Sequence, residues 1–153
     1  MVALTQERSG PRIVRDAEPE ITFADYPRIA PGEYQAVSKR ARVYFDKSFR
    51  RHVCCVWFSI LNDAGTVVIA KLPWFLNLSD GPQPWAGRRS NYWQAWIKAN
   101  GGRSPLRRDR LTPRVFEQRA ARVLVADTKM NFRGDKVFAP YSVIREVIRW
   151  ETR

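Results

Sequence analysis

Arg51-His52-Val53-Cys54-Cys55-Val56-Trp57-Phe58-Ser59-Ile60-Leu61 is the stretch that decides the fold class. Cys54, Val56, Phe58 and Ile60 recur at period two and form a wholly apolar face. Arg51, Val53, Cys55, Trp57 and Ser59 make up the opposite one. Alternation of this kind, rich in β-branched and aromatic residues, marks a half-buried strand. Asn62-Asp63-Ala64-Gly65 follows as a hairpin loop, because Asn, Asp and Gly tolerate the backbone angles of tight turns. A partner strand is therefore expected from Thr66 to Lys71, with a continuation interrupted at Pro73 and running through Trp74 to Leu78.

Upstream, Pro31-Gly32 reads as a turn, and Tyr34 and Ala36 alternate with polar neighbours. The apolar phase then moves from even to odd positions at Ala41, Val43 and Phe45. A phase jump inside one strand predicts a β-bulge, which bends it. Downstream, residues 79–90 form a loop with Gly81, Pro82, Pro84 and Gly87. Ser90 or Asn91 is placed to cap a short helix carrying Trp93, Trp96 and Ile97, and Asn100-Gly101-Gly102 ends it. Thr112 with Pro113 starts a second short helix. A strand is expected around Ala120–Asp127, a hairpin at Gly134-Asp135, and a last element at Tyr141–Trp150. Ile144, Ile148 and Trp150 suit a strand there, although Ile144, Val147 and Ile148 also fit a helical period; strand is the favoured reading. The sum is a mainly β domain: three antiparallel strands, one or two short helices, then two strands. That is the plan of a five-stranded OB-like Greek-key barrel.

The chain has 153 residues, enough for one domain with a full core. Lys and Arg outnumber Asp and Glu by 27 to 15, a net charge of +12. Residues 1–31 carry four Arg against five carboxylates, with Pro11, Pro19, Pro27 and Pro31 interspersed. They read as a flexible arm that docks through Ile21, Phe23 and Tyr26. The body, 32–153, therefore holds the whole basic excess, a net of +13. Charge of that size points to a polyanion or an acidic surface as partner.

Several chemistries have no footing. Apolar runs long enough to span a bilayer are absent, and nothing near Met1 reads as a signal peptide, so a soluble cytoplasmic protein is expected. The two cysteines are adjacent and there is one histidine, which excludes the usual zinc spacings and His-based triads. No phosphate loop and no carboxylate pair placed for acid–base work is found, so no cofactor, metal or catalytic residue is expected. Cys54 should face inward and be inert, whereas Cys55 is a candidate for a reachable thiol without a base beside it.

The opening Pro31-Gly32-Glu33-Tyr34-Gln35-Ala36, the strand Val53–Ile60, the Trp-bearing helix ending in Gly101-Gly102 and the late strand Arg122–Val125 carry a resemblance. Over residues 31–150 the chain resembles small OB-fold single-stranded-DNA-binding-like proteins of phages and mobile elements. The first motif is similar to the proline-glycine-x-tyrosine-x-alanine start common in that group. The high Trp content and the missing acidic tail depart from it. The resemblance implies single-strand binding in phage or mobile-element replication or recombination, alongside replication or recombination proteins, and it alone favours DNA over RNA.

The residues themselves support a similar expectation. Between Gly87 and Arg122 stand ten cations, nine of them Arg, against Asp109 and Glu117. Arg forks onto phosphate oxygens and stacks on bases, where Lys serves solubility equally well. Arg88, Arg89, Arg103, Arg107, Arg108 and Arg110 are the loop candidates for gripping a backbone. Trp57 opposite the apolar face is the leading base-stacking platform, beside Arg51, although cover by the arm or a partner subunit explains it equally well. Trp93 and Trp96 read as core, and Trp74 and Trp85 suit either role. Arg40, Arg42 and Tyr44 form a groove wall on the first strand. Lys129, Phe132, Arg133 and Lys136, with Phe138, bracket the last hairpin, a usual ligand contact in that fold. Homo-oligomers along a strand are expected, since a small barrel covers few nucleotides. The competing readings are an accessory or inhibitor module bound to an acidic protein surface, and a structural nucleoprotein that prefers folded RNA or duplex.

Overall fold

The computed structural model describes residues 26–107, 110–130, 134–136 and 139–152. Five strands form one antiparallel sheet: β1 (Gly32–Asp46), β2 (Arg51–Leu61), β3 (Val68–Asn77), β4 (Ala120–Asp127) and β5 (Ser142–Trp150), in the order β3-β2-β1-β4-β5. Helix α1 (Asn91–Ala99) and a 3-10 turn (Pro113–Phe116) lie in the chain between β3 and β4. The mainly β class, the five strands and the position of the helices are as expected from sequence. No hydrogen-bonded ladder joins β3 to β5 among the described residues, so the sheet is not closed into a barrel. Its two edges meet through side chains instead, with the Trp74 and Trp150 rings 6.2 Å apart.

β1 is long enough to pair with β2 along one part and with β4 along another. Ala36 stands opposite both Ile60 and Ala121, and Val43 opposite Cys54. The register with β2 shifts between Ser38 and Ala41, the bulge expected from the phase jump. A bulge releases backbone groups from the ladder, and buried ones need other partners. Here the segment before β4 supplies them. Glu117 Oε2 accepts from the Ala41 N–H at 3.1 Å, the Gln118 N–H donates to the Lys39 carbonyl, and the Ser38 N–H donates to the Arg119 carbonyl. Ser38, fully buried, also accepts from the Arg119 N–H through its Oγ.

The core lies on the side of the sheet faced by Val56, Phe58, Ile60, Leu72, Leu76, Val123 and Val125, and Tyr92, Trp96 and Phe116 cover it. Ser90 caps α1 by accepting from the Trp93 N–H, and Thr112 caps the 3-10 turn with Pro113 at its first position. Trp96 Nε1 donates to the Thr112 carbonyl, so the two helical pieces are tied together. β3 runs unbroken through Pro73, whereas sequence suggested an interruption. A proline fits inside an edge strand because its missing N–H falls where no neighbour needs it, and continuity places Trp74 in the core. The last element is a strand, pairing Val125 with Ile144. Residues before β1 lie along the sheet edge: the Ser142 N–H donates to the Pro27 carbonyl, Ser142 Oγ accepts from the Ile29 N–H, and Arg28 pairs with Asp127 at 3.0 Å.

Candidate functional site

The face of β2 turned away from the core carries Arg51, Val53, Cys55, Trp57 and Ser59, and register places its neighbours. Trp57 stands beside Pro73 of β3, Cys55 between Arg42 of β1 and Phe75 of β3, Val53 beside Tyr44, and Ser59 beside Lys71. Small side chains in the middle of this face are covered by longer ones on both flanks: Cys55 is only 5% exposed, against 47% for Trp57 and 55% for Phe75. Diagonal neighbours on an antiparallel face lie about 7–8 Å apart, so the two exposed rings are adjacent platforms. Arg42 and Lys71 are exposed at their sides, and Tyr44 is half-buried.

Arg51 is half-buried, its guanidinium 4.8 Å from the centre of the Phe49 ring, and its Nε has no hydrogen-bond partner among the described residues. Arg40 is exposed inside the bulge. Thus Arg40, Arg42, Tyr44 and Trp57 come together on β1 and β2, whereas Arg51, opposite Asp46 at the far end of β2, stands about 20 Å from Trp57 along the strand. Phe75 and Lys71 join them without having been singled out from sequence. Their signal was the inward phase Leu72-Trp74-Leu76, which sends Lys71, Pro73 and Phe75 outward, and Pro73 obscured it.

Neither thiol takes part. Burial pushes the Cys54 thiol up to about 12 and the Cys55 thiol up to about 11. The expectation of a reachable Cys55 is therefore corrected. His52 is spent on structure, with Nε2 2.9 Å from the Gly81 carbonyl oxygen.

The loop arginines sit elsewhere. Arg88, Arg89, Arg103, Arg107 and Arg110 are exposed around α1, and the core lies between them and Trp57. One groove with all the cations beside Trp57 is not what the chain builds. Other cations of the 87–122 stretch hold the fold together. Arg119 donates to the carbonyls of Ala99, Val115 and Glu151 and lies 5.0 Å from the Trp150 ring centre. Arg122 pairs with Glu33 at 3.1 Å, and Lys98 donates to the Val147 carbonyl. Lys129 and Lys136 are exposed near the Met130–Lys136 bridge between β4 and β5. Arg108, Phe132, Arg133 and Phe138 lie outside the described residues.

Trp96 is buried in the core, whereas Trp93 is half-buried outside it and lines a surface cleft, so the core expectation holds for Trp96 alone. Trp85 is exposed and lines a cleft of about 440 Å3 with Val43, Leu78 and Tyr92. Among the described residues no helix is long and apolar enough to cross a membrane. In comparisons with known proteins, neither a family model nor a curated protein matches the chain.

Proposed function

We propose that this protein binds single-stranded nucleic acid, DNA in the first instance, without catalysis and without sequence preference. The observation that carries the reading is the pair of exposed rings, Trp57 and Phe75, on one sheet face bordered by Arg42 and Lys71. Every base has a π-face, so such platforms tolerate any sequence, while cations at their sides take the phosphates. The excess of +12 gives the long-range attraction. The strand order β3-β2-β1-β4-β5, with the bulged β1 shared by β2 and β4, supports an OB-like Greek-key barrel as the finer description of the fold. In that architecture the outer surface of the second and third strands is the usual binding surface. The resemblance to small OB-fold proteins of phages and mobile elements favours DNA, and a role in replication or recombination follows from it.

Titration of intrinsic Trp fluorescence with oligo-dT and with matched duplex, at low and moderate salt, tests this. Strong quenching by the single strand, weaker binding to duplex and loss with added salt are expected. Equal binding to duplex without quenching refutes stacking. Absence of binding to either, with tight capture of an acidic protein, replaces the proposal with a protein-interaction module.

A further inference from the structure

We propose that the trough beside α1 is a second phosphate-backbone site, separate from the Trp57–Phe75 face, so that one molecule holds two stretches of single strand at once. The inference rests on the reading above and adds a second contact to it. A cleft of about 520 Å3 is lined by Arg103, Arg107 and Arg110 with Trp96, Asn100 and Pro105. A neighbouring cleft of about 270 Å3 shares Ser104 and Pro105 with it and adds Arg88 and Trp93. The shared residues make the two clefts one trough, and among the described residues no carboxylate lines either of them.

The floor is built rather than loose. Trp96 is fixed by its bond to the Thr112 carbonyl, and Asn100 Nδ2 donates to the Arg103 carbonyl at 2.9 Å. The Gly102 N–H donates to the Ile97 carbonyl, which locks the turn leaving α1. Arg side chains on an anchored backbone, beside aromatic and proline surface, suit phosphate oxygens and sugar faces rather than a lone small anion. Trp96 belongs to the same core as Val56 and Phe58, which point away from Trp57. A short strand on the sheet face therefore leaves the trough open, and a long one can pass round the molecule to reach it.

Calorimetry with oligo-dT of about 6 nucleotides, near the low end of the ~4–16 covered by one such fold, is expected to give two strands per protein. Trp57→Leu with Phe75→Leu is expected to remove one of them. Arg88→Gln with Arg103→Gln and Arg110→Gln is expected to remove the other, and a melting curve checks that this surface variant folds. On a strand of roughly 30 nucleotides the triple variant should weaken binding about ten-fold or more and lower the salt slope by about 2, at ~0.7 per phosphate contact. It should leave in place the part of the short-strand quench that Trp57→Leu removes, since Trp93 and Trp96 line the trough and contribute the rest. One short strand per wild-type protein, or a triple variant within about two-fold of wild type on the long strand, overturns the second site and leaves the sheet face standing. Tighter binding of poly-glutamate than of dT at the trough overturns the assignment to phosphate. No binding of either strand overturns both readings.

Discussion

Replacing Arg119 by Met separates a structural arginine from a ligand-binding one. The guanidinium donates from Nη1 to the Ala99 carbonyl at 2.6 Å and the Val115 carbonyl at 3.1 Å, and from Nη2 to the Glu151 carbonyl at 3.0 Å. It thereby joins the end of α1, the 3-10 turn and the residue after β5. The first two bonds are partly buried, and a hydrogen bond to a charged group contributes about 1.5–3 kcal/mol. The third faces solvent, where water replaces the donor at little cost. Loss of the cation over Trp150 adds about 0.5–1 kcal/mol, while the Met stem keeps most of the packing.

The expected destabilisation of Arg119→Met is about 3–4 kcal/mol, since neighbouring terms do not add fully. For a domain of this size that lowers Tm by roughly 10–15 °C. Urea unfolding followed by circular dichroism measures it, alongside the salt dependence of oligo-dT binding on the folded variant. A cost below about 1 kcal/mol, or a salt slope reduced by the ~0.7 of one phosphate contact, refutes the structural assignment of Arg119.

The remaining expectations are briefer. Trp57→Leu should weaken oligo-dT binding about 5- to 150-fold, the equivalent of one stacked base at ~1–3 kcal/mol, as read by anisotropy; unchanged affinity removes Trp57 from the interface. Glu117→Ala strips the acceptor from the Ala41 N–H in the bulge and should cost about 1–3 kcal/mol, with Glu117→Gln recovering most of it in the same unfolding assay. Neither thiol should react with an aromatic disulfide in the native protein near neutral pH. Unfolded thiols ionise near 9.0, whereas burial holds Cys54 at about 12 and Cys55 at about 11. Their contribution to stability is thus complete below the unfolded value and is lost as pH rises through the folded ones. Denaturant midpoints should be steady below the unfolded value of 9.0, fall between it and about 12, and level off above; a cysteine-free variant with the same alkaline fall would place the cause elsewhere.

The strands were legible because their chemistry is local. The phase jump of β1 depends only on which side of a pleat a residue occupies, and it appears in the register as read; β2 alternates in facing but not in burial, since Val53, Cys55 and Ser59 on its outer face are buried too. Pro73 misled because its effect depends on a non-local fact, that β3 lies at a sheet edge. Cys55 misled for a related reason. Facing outward does not expose a small side chain when Arg42 and Phe75 flank it on neighbouring strands. The Arg-rich stretch showed charge but not place. Arg119 and Arg122 are next to Arg110 and Arg114 in composition, yet they are drawn into the fold by the carbonyls of Ala99 and Val115 and the carboxylate of Glu33. Composition counts cations; only pairing tells which of them face solvent.

The contact between Trp74 and Trp150 has a bearing on motion. Where strands are laced by a ladder, parting them costs many backbone bonds together; where they meet through rings, parting costs only side-chain packing. The seam between β3 and β5 is thus the place where this sheet can breathe as a unit without unzipping. Amide exchange should be slowest in β1, β2 and β4, each paired on both sides, and faster along the outer edges of β3 and β5. Phe75 rides on one of those edge strands. Excursions of the seam therefore move Phe75 relative to Trp57, and under the proposed function they would let the two rings adjust to a bound strand.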